Sequence, residues 1–243
     1  MSTHLTLILP YILLAAGAGV LGGVLALFWS PGAKTRGAIQ HFAAGAVLAA
    51  VASNVIPEVE RTGTFIGIIS GFVLGGLLMI GLKWITLKFE RKEKSKKNKL
   101  PTGLAAAAAL DTFLDGAIIS VGFSTGDDQL GTLLAIALAL ELLFLTLSVG
   151  VELRKGQFKP WQVLAVTSGF AFLLLVGAFG ASLLFGEASE ATLAVVLAFG
   201  AAALIYLIAE ELLVESIQAE ESIFSTVTLF SGFLILLALK LLG

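Results

Sequence analysis

The chain has 243 residues, 58% of them hydrophobic and 13% charged, about half the roughly 25% charge of a soluble globular protein. That composition excludes water as the main solvent, and a net charge of -2 gives no basis for a nucleic-acid partner. The absence of cysteine excludes a disulfide framework, a thiolate zinc site, an iron–sulfur cluster and a cysteine nucleophile together.

Apolar runs of about 20 residues, the length that crosses a bilayer as a helix, follow one another along the whole chain. The first, Leu5–Trp29, exceeds the roughly 7–15 apolar residues of a signal peptide and carries no small-residue cleavage pattern, so it reads as a membrane helix. The second and third, Gly37–Ile56 and Thr64–Leu87, are interrupted by Gly, Ser and Asn. GxxxG-like stretches at Gly17–Gly22 and Gly71–Gly76 permit close approach of helix backbones in lipid. A Lys-rich segment, residues 88–102, comes next. The remaining runs are Gly103–Phe123, Leu130–Val151, Trp161–Phe185, Ala191–Val214 and Ile223–Leu242. The expected fold is an all-α integral membrane protein with eight transmembrane helices, forming one transmembrane domain over residues 1–243.

If loops alternate sides, one side receives Lys34, Arg36, the run from Arg91 to Lys99, Arg154, Lys155 and Lys159, and the other side's loops receive only Arg61. Lys and Arg are retained on the cytoplasmic face. Both termini are therefore expected outside and the Lys-rich loop inside, where it touches anionic lipid. The outer loops carry Glu58, Glu60, Asp127, Asp128, Glu187 and Glu190, which can concentrate cations or merely be solvated. Short loops without a targeting segment fit a prokaryotic inner membrane. Membrane lipid and divalent cations are the expected partners, with a second copy of the chain as a candidate homodimer.

Ionisable residues in the middle of a membrane helix are costly and invite a functional explanation. Asp111 and Asp115 fall near the centre of the fourth helix, four residues apart and so on one face. Glu141 falls near the centre of the fifth. Ionised carboxylates clustered at one depth need bound cations or protons to offset their repulsion. The bland reading is that they are protonated and hydrogen-bonded to helix carbonyls. Asn54 and Glu58 stand at the outer end of the second helix, and Glu210, Glu211 and Glu215 toward the cytoplasmic end of the seventh, outlining an entrance and an exit. SNVIPEVE, residues 53–60, can be laid beside EELLVESI, residues 210–217. This pairs Asn54 with Glu211 and Glu58 with Glu215, and suggests an inverted repeat of helices 1–3 and 6–8 around helices 4 and 5.

These residues resemble the ZIP (Zrt/Irt-like) family of metal transporters, and the likeness covers nearly the whole chain. HFAAGAVLAAVASNVIPEV, His41–Val59, looks like the family's second helix, and ALIYLIAEELLVES, Ala203–Ser216, like its seventh. DTFLDG, Asp111–Gly116, stands where family members carry HNxPEG or HSxxDG. By that resemblance Asp111 replaces the histidine ligand, Thr112 replaces the Asn or Ser ligand, and Asp115 keeps the acidic one. ELLFLT, Glu141–Thr146, stands where the family shows a motif close to HExPEG, with Glu141 in the histidine's place, Leu145 in the second acid's and Thr146 in the glycine's. The sixth helix, with SGFAFLLLVGAFG over 168–180, lacks the acid often found there.

The resemblance implies a divalent cation of the zinc, iron or manganese class as substrate, no organic cofactor, and inward transport. The metal path it implies runs through Asn54 and Glu58, then Asp111, Thr112, Asp115 and Glu141, then Glu210 and Glu211. A single oxygen-only site can be built from the central four. Without imidazole or thiolate it favours harder ions such as Mn²⁺ and Mg²⁺ and weakens the preference for Zn²⁺. His41, near a helix end, reads as an interfacial polar residue. Two other functions fit the same acids: a non-transporting metal sensor or scaffold, and a proton-linked carrier of another solute. No Ser/His, HExxH or phosphate-cradling arrangement is present, so an enzyme is not expected.

Topology is tested by cysteine labelling. Ser2→Cys is expected to react with an impermeant thiol reagent added to intact cells, and Ser95→Cys only after the membrane is opened. The reverse pattern would mean that the orientation is inverted.

Overall fold

The computed structural model describes residues 2–93, 102–209 and 223–242. The described residues are helical apart from short connections. The helices are α1 (Ser2–Phe28), α2 (Ala33–Ala50), α3 (Ile56–Thr62), α4 (Phe65–Glu93), α5 (Thr102–Ser124), α6 (Asp128–Lys155), α7 (Pro160–Phe185), α8 (Glu190–Leu207) and α9 (Ile223–Leu242). A π-helical turn, Val51–Val55, joins α2 to α3 without a break. Among the described residues, eight helical spans are long and apolar enough to cross a membrane, the second running from Ala33 to Thr62.

That second span continues past Ile56 although Pro57 follows. A proline has no N–H, so an α-helix would lose the bond from residue 57 to the carbonyl of Ser53. The chain takes up the defect by widening one turn: the Ile56 N–H bonds to Val51 O, five residues back. Such single π turns keep a helix continuous while re-aiming its side chains. In the seventh span the same geometry begins at Ile208 and Ala209.

The spans pack as two groups. In one, α1 lies along α6 and α7, and α5 lies along α7; in the other, α9 lies along α2, and α4 along α8. Contacts of α2 with α6, and of α5 with α4 and α8, join the groups. The second, fourth and fifth spans are the most buried, while α4 and α9 are the least. Accordingly α4 turns Phe72, Leu74, Leu77, Ile80 and Trp84 outward, the pattern of a helix that faces lipid.

Glycine sets how closely these pairs approach. A Cβ added at Gly116 of α5 would lie 2.0 Å from the Leu174 carbonyl oxygen of α7, and one at Gly177 of α7 would lie 1.9 Å from the Phe113 carbonyl of α5. The α2/α9 pair repeats the arrangement, with Gly45 against Leu229 O at 1.9 Å and Gly232 against Phe42 O at 2.0 Å. Of the GxxxG-like stretches, Gly22, Gly71 and Gly75 are packed against neighbouring helices, whereas Gly17 and Gly76 have nothing within 4 Å. Without a hydrophobic driving force between helices in lipid, such close contact is what association depends on.

One end of the bundle gathers basic residues. Arg36 and Lys155 both reach Glu152 Oε1 at 2.7 Å. Arg154 caps the C-terminus of α1 through the carbonyls of Ala26 and Leu27. At the opposite end Glu58 pairs with Arg61.

Gly116→Ala and Gly177→Ala should each destabilise the protein by about 1–3 kcal/mol through overpacking, seen as a lower melting temperature in detergent. Gly76→Ala should leave it unchanged or slightly higher. Equal effects at all three positions would contradict the close α5/α7 contact.

Candidate metal site

The site lies where α5 meets α6. The four-residue spacing puts Asp111 and Asp115 one turn apart on the same side of α5, and Glu141 comes from the middle of α6. One carboxylate oxygen from each lies within 4.8 Å of the other two. All three side chains are buried, with relative exposures of 4%, 2% and 3% for Asp111, Asp115 and Glu141. The close α5/α7 contact at Gly116 seals the flank of α5 immediately beside Asp115.

Two unit charges at that separation repel by on the order of 3 kcal/mol at an effective dielectric of about 20. Three ionised carboxylates therefore cannot share the site without compensation. A divalent cation among them supplies it, and so do protons. Oxygen-only ligation at short range is the donor set of hard divalent ions.

The other sequence-predicted residues among those described have local partners. Thr112 is fully buried, but its hydroxyl donates to Ala108 O at 2.8 Å within its own helix, so only its lone pairs are left to offer an ion. Thr146 is likewise buried and donates to Leu142 O at 2.8 Å. Asn54 lies in the π turn, 7% exposed. The Ser53 hydroxyl stands 2.6 Å from Asn54 Oδ1 and 2.6 Å from Ala49 O, and shares its one proton between them. Glu58 is 6% exposed and is held by Arg61 at both oxygens, at 3.0 and 2.7 Å. Glu58 does not belong to the central group of acids. His41 turns Nδ1 to Gly37 O at 2.9 Å, inside its own helix. Glu210, Glu211 and Glu215 lie outside the described residues.

Two features escaped the sequence reading. The Glu58–Arg61 pair has the three-residue spacing of helix neighbours and was legible. Lys240, inside the last span and so outside any tally of loop charges, donates its ammonium to the Ser53 carbonyl. The pointer to it was Pro57, which deprives that carbonyl of its helical donor.

No family model matches the chain. A curated relative, the zinc transporter ZIPB of Bordetella bronchiseptica, is 30% identical over 253 residues, covering 94% of this chain and 80% of the relative. The chain belongs to the ZIP family. Membership, together with eight spans of membrane-crossing length, makes it an integral membrane protein. The two helices that carry the trio, with DTFLDG in α5 and ELLFLT in α6, contain no histidine.

Restoring an imidazole tests the chemistry of this donor set. Asp111→His should shift metal preference toward Zn²⁺, because imidazole suits Zn²⁺ better than carboxylate does. Titration of detergent-solubilised protein with Zn²⁺ and Mn²⁺ measures this, and an unchanged ratio of affinities would argue against Asp111 as a ligand.

Proposed function

We propose that this ZIP-family chain is a carrier that moves divalent metal cations of the zinc, iron or manganese class into the cytoplasm through the Asp111, Asp115 and Glu141 site. The observation that carries the reading is the convergence of three buried carboxylates from two adjacent spans within 4.8 Å. A cation at that point offsets their repulsion, and a path for cations explains why such costly groups stand in the middle of membrane helices. The relative's description as a zinc transporter supports the same class of substrate. The histidine-free donor set favours harder ions such as Mn²⁺ and Mg²⁺ and weakens the preference for Zn²⁺. Asn54 and Glu58 at one end, and Glu210 and Glu211 at the other, complete the path. The gathering of Arg36, Arg154 and Lys155 at the opposite end from Glu58 supports placing that basic end in the cytoplasm.

The packing also supports an inverted repeat of the first three and last three spans. Exchanging spans 1–3 with 6–8, and span 4 with span 5, turns the α1/α6 pair into the α7/α5 pair and the α2/α9 pair into the α8/α4 pair. All four are principal contacts. π geometry begins at Val51 and at Ile208, which alignment of SNVIPEVE with EELLVESI sets opposite each other. Both α5 and α6 belong to the group containing α1 and α7, so the site rides in that group. Sliding it against α2–α3, α4, α8 and α9 would expose the trio to each side in turn.

Uptake into proteoliposomes, compared for Mn²⁺, Fe²⁺, Zn²⁺, Co²⁺, Cd²⁺ and Mg²⁺, tests the reading. Accumulation of Mn²⁺ is expected. Asp115→Asn should weaken binding by about 1–3 kcal/mol and reduce uptake at limiting ion in proportion. Tight metal binding with no uptake of any ion would instead identify a sensor or scaffold.

A further inference from the structure

We infer that the Lys240 ammonium is a tethered cation seated at the outer mouth of the ion path, which an incoming metal ion has to displace. The inference rests on the carrier reading and adds a gating residue to it.

The seat is made by a proline. In an α-helix the Ser53 carbonyl would accept from the N–H of residue 57, and Pro57 has none. The π turn rebuilds the ladder around the defect through Ile56 N–H to Val51 O. The Ser53 carbonyl takes the Nζ of Lys240, which reaches across from the last turn of α9. This one turn presents the carbonyl and hydroxyl of Ser53 and the side-chain oxygen of Asn54, and oxygen donors of this kind attract a cation. In this structure the cation is the protein's own.

Lys240 is also fixed from the other side. Its carbonyl accepts from Gln129 Nε2 at 2.7 Å. Gln129 stands in the first turn of α6, the helix that carries Glu141. At about 1.5 Å per residue, the 12 residues between them place this contact about 18 Å along the helix from the trio. The end of α9 is thus tied both to the proline turn of its own packing group and to the group that holds the site. Relative movement of the groups has to break the Gln129 bond.

Charge decides the sign of the effect. Arg61 neutralises Glu58 at this same end, so Glu58 does not cancel the charge of Lys240. A fixed ammonium at the mouth of a cation path competes with the ion and raises the concentration needed for half-maximal uptake. A lysine that merely braced the helix would do the opposite, since its removal would damage the path.

The chain contains no cysteine, so Lys240→Cys introduces a unique thiol. In Mn²⁺ uptake by proteoliposomes, this variant is expected to show a KM about fivefold lower than wild type, the size of one weak charge contact. Coupling a cationic aminoethyl group to the thiol should restore the wild-type KM, and a neutral methylthio group should not. Lys240→Arg should match wild type. If Lys240→Cys loses the fold, Lys240→Gln keeps a donor for Ser53 without the charge and should show the same fall in KM. An unchanged or raised KM in the neutral variants, or equal effects of the two reagents, would overturn the inference. A wild-type chain that moves no ion would refute the carrier reading itself, and the tethered-cation role of Lys240 with it.

Discussion

Mutual repulsion among three buried carboxylates is the constraint around which this molecule is organised. Asp111, Asp115 and Glu141 are each at most 4% exposed, and one oxygen from each lies less than 5 Å from the others, where ionised carboxylates would repel by on the order of 3 kcal/mol per pair. Nothing in hydrophobic packing would bring them together. Their proximity is sustained by helix contacts that leave the backbone nowhere else to go, above all the reciprocal glycine contacts between α5 and α7. Those contacts gain dispersion energy and carry the electrostatic penalty, until a cation or protons remove it.

The same division of labour runs through the rest of the bundle. Helices α4 and α9 spend their apolar side chains on the outside, and the interior is filled by small residues such as Ala43, Ala44, Ala135 and Ala201. Small interior residues let helices approach closely. Polar side chains inside are mostly satisfied locally: Thr112, Thr146 and Thr167 each donate to a carbonyl of their own helix, and so make no demand on a neighbouring helix.

The span count was legible in the sequence because lipid imposes one length on every helix. The pairing of Asp111 with Asp115 was legible because a spacing of four fixes a face. Their meeting with Glu141 required only that the fourth and fifth helices be adjacent and antiparallel, which a short loop enforces. Less was visible at the second span. There a proline followed by acidic residues suggests a helix end, and the structure continues to Thr62 through a π turn. Pro57 marks the defect locally, but the donor that settles the Ser53 carbonyl is Lys240, 187 positions away in the chain, which local sequence could not reveal. Glu58 shows a nearer signal. Its partner Arg61 sits three residues on, a spacing that places the two on one helix face, so the ion pair was legible beside the acid.

The measurement that bears most directly on the central site is X-ray absorption of purified protein loaded with Mn²⁺, with the bound ion counted by equilibrium dialysis. One tightly held ion per chain, with a first shell of oxygen only that is lost when Asp115 and Glu141 are both replaced by their amides, is the expected result. A nitrogen-containing shell, or retention of the ion with both carboxylates gone, would contradict coordination by Asp111, Asp115 and Glu141.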